Sequence, residues 1–378
     1  MSTPRHIVVI GASAGGIDAL RTLLAEVPPD FSAPICVVLH TSAESPGVLA
    51  DILGRGARLP VTLAADNCRL QPAQVYVAPP DRHLLVEPGR VRVTRGPREH
   101  GFRPAIDPLF RSAAQVFGPT AIGVVLTGNL DDGTAGLWTI KKLGGVAVVQ
   151  DPADALFSAM PLHALHSVSV DHVVPLSQIP ALLHKLTTEV PVKPVPSSVP
   201  EHITVEVNIA KEQNPRDAGL EGVGTPSPYA CPDCHGVLLE VEEGGRIRFR
   251  CHTGHAYSVE SLLAAMGEGM EHAMSTAERA LEERSLLMQR IATQLKQHNQ
   301  HDASARLMDA ADRAKRKAEA LRELMRQADT VPAADQRSTA EFTWPHCCSS
   351  QGRSRGGRQC LFWVGFSSVL SSGLGPSC

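Results

Sequence analysis

The sequence has no excess of positive charge. It carries 36 Lys and Arg against 39 Asp and Glu over 378 residues, a formal net charge of −3, which argues against a dedicated nucleic-acid binder with its basic face. It has no apolar run of the length that spans a bilayer. No signal-peptide apolar stretch is expected at its start, where the first six residues run straight into the strand-like segment 7–10. A cytoplasmic protein without membrane insertion is therefore expected. A disulfide framework is lacking too, since the nine cysteines are odd in number and irregularly spaced, which favours burial or metal binding in a reducing compartment. Aromatic residues are few, at 4%, but 43% hydrophobic and 20% charged residues make a globular composition. The length allows two or three units.

Up to residue 188, short apolar runs alternate with helix-like segments. Residues 7–10, 35–39, 61–63, 75–77, 122–126, 146–149 and 170–174 read as strands. Residues 17–27, 48–53, 107–117, 137–143 and 177–186 read as helices, and 84–93 as a hairpin turning at Pro88-Gly89. Continuous apolar strands separated by helices predict an α/β fold, a doubly wound and mostly parallel sheet covered on both faces. Residues 189–228, rich in Pro and Gly, read as a linker. A Cys/His unit follows at 229–258. Residues 259–328 form a charged helical segment, and a polar break at 298–304 predicts a helical hairpin. Residues 329–378, whose end is rich in Ser, Gly, Arg and Cys without periodicity, read as a disordered or non-native tail.

Gly11-Ala12-Ser13-Ala14-Gly15-Gly16 lies between the first strand and its helix. Ser13 thus falls at the carboxyl end of a parallel strand, where open α/β sheets place ligands. The small neighbours suit a tight strand-to-helix turn that exposes a nucleophilic hydroxyl. The helix N-terminus, starting with the Ala14 N–H, suits a developing oxyanion. A dinucleotide loop would need glycine at position 13 and an acid at the end of the second strand; His40 stands there, a natural general base beside Ser13. The loop after strand 122–126 supplies Asp131 and Asp132, either of which can orient the histidine.

Cys231-Pro232-Asp233-Cys234 and Cys251-His252-Thr253-Gly254-His255 flank a predicted hairpin. The spacing offers Cys231, Cys234, Cys251 and His255 as a tetrahedral set for a structural zinc, with His235 and His252 as competing ligands. So small a unit would draw most of its folding free energy from the metal.

Several of these segments, in this order, resemble one family. They are Ile10 to Gly16, the strand ending in His40, Val77-Ala78-Pro79-Pro80-Asp81-Arg82-His83, Arg103-Pro104-Ala105-Ile106-Asp107-Pro108-Leu109-Phe110, Leu126-Thr127-Gly128 with Asp132-Gly133, and Met160-Pro161. Across residues 5–186 the sequence resembles the CheB family of chemotaxis protein-glutamate methylesterases. The resemblance implies a triad of Ser13, His40 and Asp132, and so favours Asp132 over Asp131. It implies an oxyanion site at the backbone N–H groups of Ala14 and Asn129, and no cofactor for catalysis. The implied reaction is hydrolysis of glutamate γ-methyl esters on methyl-accepting receptors, with deamidation of glutamines as a second activity.

Familiar members carry an N-terminal phosphoryl-receiver domain. Here the resemblance starts at residue 5, so phosphorylation in cis is not expected. A typical member also has methionine, glycine and asparagine where this chain has Asn129, Leu130 and Asp131. The Cys/His unit resembles the zinc-ribbon-like extension of stand-alone CheB-type proteins, whose helices, here 259–328, would serve partner binding or self-association. The alternatives are a regulatory module whose helical tail binds a signalling partner, and a hydrolase acting on another ester or amide.

Overall fold

The first strand, β1 (Ile7–Ala12), is buried at every residue. Its side chains part to two faces: Ile7 and Val9 enter one core, Val8 and Ile10 the other. A strand covered on both sides has no polar face, which is why the run is continuously apolar. The computed structural model describes residues 4–188, 199–212, 214–222, 224–243 and 245–328. By contacts the chain divides into two units, residues 1–322 and 323–378, the second described only at residues 323–328.

After β1 come α1 (Gly16–Glu26), β2 (Ile35–Leu39), α2 (Leu49–Gly54), β3 (Val61–Leu63) and β4 (Val75–Val77). The hairpin of β5 (His83–Glu87) and β6 (Arg90–Thr94) precedes α3 (Ile106–Phe117). Then follow β7 (Ala121–Val125), α4 (Thr134–Lys142), β8 (Val146–Gln150), α5 (Ala159–Ser167), β9 (His172–Val174) and α6 (Ile179–Thr188). The sheet runs β3-β4-β2-β1-β7-β8-β9, and every pairing in it is parallel. The chain winds outward from β1 through β2, then reverses to β7. The carboxyl ends of β1 and β7 therefore flank a topological switch point, the place where loops diverge and leave a crevice.

The expected linker departs from the structure. Residues 189–198 lie outside the described residues, but beyond them α7 (Glu201–Ala210) buries Ile203, Val205, Val207 and Ile209 and packs on α3. The flanking prolines drew attention away from an apolar segment whose partner is distant in sequence. A small antiparallel sheet follows, in the order β10 (Thr225–Ala230), β11 (Val237–Glu243), β12 (Arg246–Cys251) and β13 (Ala256–Ser258).

Two helices, α8 (Val259–Gln297) and α9 (His301–Ala328), form the hairpin expected from the polar break. Small buried residues, Ala292, Ala311 and Ala318, let them approach closely. Ser285 Oγ donates to Ala311 O at 2.9 Å and Ser304 Oγ to Ala292 O at 2.8 Å. The tail at 329–378 lies outside the described residues. Among the described residues no helix is long and apolar enough to cross a membrane.

Candidate active site and metal centre

The three polar residues read from the strand ends meet. Ser13 follows β1, His40 follows β2 and Asp132 lies in the loop after β7. His40 Nδ1 is 3.1 Å from Ser13 Oγ, and His40 Nε2 is 2.7 Å from Asp132 Oδ2. The second contact is almost fully enclosed, with side chains 5% and 2% exposed. The imidazole therefore faces the carboxylate with Nε2 and the hydroxyl with Nδ1. A proton held at Nε2 by Asp132 leaves the Nδ1 lone pair free to accept from the serine.

Backbone geometry explains why Ser13 sits where it does. Gly15 caps α1 at φ 74°, a left-handed conformation that glycine adopts without penalty. Ser13 N–H donates to Thr127 O at 3.0 Å, and Thr127 Oγ1 donates to Ala14 O at 3.0 Å while accepting from Phe157 N–H at 2.8 Å. Thr127 thus ties together three loops at the carboxyl edge. A Cβ on Gly128 would come 2.2 Å from Met160 Sδ and 2.8 Å from Ser13 Cβ, so only glycine fits there. Neither Ala14 N–H nor Asn129 N–H donates to an acceptor among the described residues, and Asn129 is exposed.

Asp132 is placed by a helix end. Ile106 N–H donates to its Oδ2 at 2.7 Å and Asp107 N–H to its Oδ1 at 3.0 Å. These first-turn donors of α3 lack partners within the helix and point their positive dipole end at the carboxylate. Asp131, the alternative, lies elsewhere: its Oδ1 accepts from Ser258 Oγ at 2.7 Å. Burial lifts the Asp131 carboxyl above the ordinary carboxylate range against the pull of His100.

A cleft of about 490 Å3 opens over Ser13 and His40, lined also by Thr41, Arg98, Phe102 and Arg103. The Phe102 ring stacks on His40 with centroids 3.9 Å apart and planes 5° from parallel. Buried His83 pins both ends of the loop that carries Phe102. Its Nε2–H donates to Pro97 O at 2.8 Å, and its Nδ1 accepts from Ala105 N–H at 3.3 Å. Burial pushes the His83 pKa down, consistent with this neutral tautomer. Sequence reasoning assigned no role to Phe102, His83 or the α3 N–H groups. His83 and the start of α3 lie within segments that carry the family resemblance; Phe102 immediately precedes one.

The cysteine and histidine positions singled out by spacing also converge. Cys231, Cys234, Cys251 and His255 place their ligand atoms within 4.8 Å of one another. Cys234 Sγ is 3.6 Å from Cys251 Sγ, and His255 Nδ1 is 3.6 Å from the sulfurs of Cys231 and Cys251. A tetrahedral ion with metal–sulfur bonds of about 2.3 Å separates its ligand atoms by about 3.7 Å, so these residues fit a structural metal. His235 and His252 are exposed and not part of the group. A second group, Glu99, His100 and Asp107, is buried, but Arg111, Arg248 and Arg250 already pair its carboxylates.

A hydroxyl, an imidazole and a buried carboxylate in hydrogen-bonded series at the carboxyl edge of a parallel sheet have the arrangement of Ser–His–Asp hydrolases. Comparison with known proteins narrows this. Residues 8–183 match the family described as CheB methylesterase. A protein of Leptospira interrogans, described as a protein-glutamate methylesterase/protein-glutamine glutaminase, is 42% identical over 180 residues, 47% of this chain and 93% of that protein. A protein of Anaeromyxobacter dehalogenans with the same description is 41% identical over 182 residues, 48% of this chain; the match spans only about half, 53%, of that relative. The crystal structure of the Thermotoga maritima CheB methylesterase catalytic domain is 34% identical and aligns over 48% of this chain and 98% of that one, with a TM-score of 0.46. The chain belongs to the CheB methylesterase family.

Proposed function

We propose that this protein hydrolyses glutamate γ-methyl esters on chemoreceptor-type signalling proteins, and deamidates glutamines at equivalent positions, through Ser13, His40 and Asp132. The observation that carries the reading is the unbroken hydrogen-bonded series from Ser13 Oγ through His40 to Asp132 at the base of an open cleft. His40 Nδ1 takes the proton of Ser13 as the hydroxyl attacks the ester carbonyl. The oxyanion forms against the N–H groups of Ala14 and Asn129, with the N-terminus of α1 nearby. Protonated His40 then passes its proton to the departing methoxide, releasing methanol and leaving an acyl-enzyme. Water activated by His40 frees the glutamate, and Asp132 holds the imidazole tautomer throughout.

Methanol release from methylated receptor fragments tests the reading. Wild type should turn over, and Ser13→Ala should lower the rate by about 10^4-fold or more. A wild type without turnover would refute the substrate. A fluorophosphonate that labels Ser13 all the same would point to a hydrolase of another ester or amide. Zinc bound by Cys231, Cys234, Cys251 and His255 would cross-link the Cys/His unit, without taking part in the reaction.

A further inference from the structure

We propose that residues 256–261, which join the Cys/His unit to α8, are part of the esterase site, with His100, Phe102, Ser258 and Ser261 as positioning residues for His40 and Asp132. The inference rests on the triad reading above and extends it beyond the segment that matches the family.

One connection runs through the backbone. The loop before α3 lies along β13. His100 N–H donates to Ala256 O at 2.7 Å and Ala256 N–H donates to Arg98 O at 3.1 Å, with Glu99 and Ala256 in a parallel bridge. The loop then turns through two left-handed residues, His100 at φ 55° and Gly101 at φ 79°. That turn delivers Phe102 flat onto the imidazole of His40. A ring stacked at van der Waals distance resists rotation of the imidazole about its side-chain torsion. It favours the single orientation in which Nδ1 meets Ser13 and Nε2 meets Asp132. The strand that places this ring starts one residue after His255.

The other connection runs through side chains. Ser258 and Ser261 cap α8 reciprocally: Ser261 N–H donates to Ser258 Oγ at 3.0 Å and Ser258 N–H to Ser261 Oγ at 2.9 Å. That exchange satisfies the helix end, yet both hydroxyls reach further. Ser258 Oγ donates to Asp131 Oδ1 at 2.7 Å, and Ser261 Oγ lies 3.0 Å from His100 Nδ1. His100 Nε2 in turn meets Asp107 Oδ2 at 3.1 Å and lies 3.7 Å from Asp132 Oδ1. Asp132 is thus flanked on one side by the backbone of α3 and on the other by a ring and a neighbouring aspartate, both held by the first turn of α8. Ser258 and Ser261 are 6% and 2% exposed. In a buried polar network with every partner present, each group restricts the next to one geometry.

The docking is reinforced beneath. Glu99 pairs with Arg248 at 3.3 Å and Arg250 at 3.0 Å, both from β12, and with Arg111 of α3. Arg250 also donates to the carbonyl of Gly254, inside the Cys/His turn. The α8–α9 hairpin therefore has a short mechanical route to the triad through its own capping serines.

The test uses the full chain, following methanol release and the rate at which a fluorophosphonate labels Ser13. Ser261→Ala, Ser258→Ala and Phe102→Leu should each lower kcat about 10- to 100-fold, the range expected when a reacting group is displaced by up to about 1 Å. KM should change little, and labelling should slow in parallel. Ser261→Thr and Phe102→Tyr, which keep the hydroxyl and the stacked ring, should restore the rate. Wild-type kcat in both Ser261→Ala and Phe102→Leu would overturn the proposal, as would a rate loss that only follows the fraction of unfolded protein by circular dichroism. A wild type that neither releases methanol nor labels at Ser13 would refute the triad reading itself. Labelling without methanol release would refute only the substrate, and the labelling rates would then still decide the positioning roles.

Discussion

Leu130 stands at φ 59° in the loop that carries Asp131 and Asp132. A leucine there suffers a clash between its Cβ and the following carbonyl that costs roughly 1–2 kcal/mol. Glycine, without a Cβ, adopts this backbone conformation at no such cost. Leu130→Gly should raise stability to urea by about 0.5–1 kcal/mol, the relief of strain less the entropy of a freer unfolded chain. An unchanged or lower unfolding midpoint would contradict the strain. Asp131 and Asp132 show how far single residues could be read. Both are carboxylates in one turn, and no local pattern separates them. Only the folded contacts tell their surroundings apart: His40 and the α3 N–H groups hold Asp132, while Asp131 turns to Ser258.

Among the elements, the Cys/His unit and its hairpin were legible because metal ligands need fixed spacing, and that spacing survives in one dimension; β10, which begins within the expected linker, was not. The unit's buried apolar cluster is small, built on Leu238, Phe249, Tyr257 and Leu262 with two of the cysteines. A cluster of that size cannot order the sheet alone, so a metal should contribute much of the local stability. Purified protein should hold about one zinc per chain, lost in Cys231→Ser together with strand signal in circular dichroism. Metal-free protein with this sheet intact would rule the role out. By contrast α7 was hidden. Its β-branched residues, Ile203, Val205, Val207 and Ile209, sit among prolines, and its helical state depends on packing against α3, far away in sequence.

Taken as a whole, the first unit is joined by buried charge. Glu99, Asp107, Glu206 and Glu243 meet Arg111, Arg248 and Arg250 where α3, α7 and the small sheet converge. Burial opposes the charge on Glu99, but Arg111, Arg250 and Arg248 hold its carboxyl well below the ordinary range. His100 supplies a further positive charge. Burial works against it, yet the hydrogen bond to Asp107 and the charges of Asp132 and Asp131 raise its pKa to about 9 from 6.5. Arg248 and Arg111 share the Asp107 carboxylate with it, at 3.6 and 3.8 Å. A raised pKa means stability that is complete below about pH 6.5 and lost as pH climbs through about 9, up to about 3 kcal/mol in all. The gap in melting temperature between wild type and His100→Asn should therefore narrow from pH 6 to pH 9.5. A gap that stays constant would show that His100 does not change its charge in that interval.

The chain by itself determined the parallel sheet, the strand-end serine and histidine, the ligand spacing of the Cys/His unit and the helical hairpin. Each of these leaves a periodic or local mark: continuous apolar strands, a tight small-residue turn, paired cysteines, and charge with helical spacing. Tertiary structure alone decided that Nδ1 rather than Nε2 of His40 faces Ser13. It also decided that Phe102 covers that ring, and that the Cys/His unit and α8 close around the aspartate loop through His100, Ser258 and Ser261. The contacts of Ser258 and Ser261 join residues 127 and 161 positions apart, and a hydrogen bond of that span leaves no pattern in the sequence until the backbone has folded. The proposed catalytic serine and histidine were legible as strand ends and the aspartate as one of two in a loop, while the surroundings that hold them in one geometry were not.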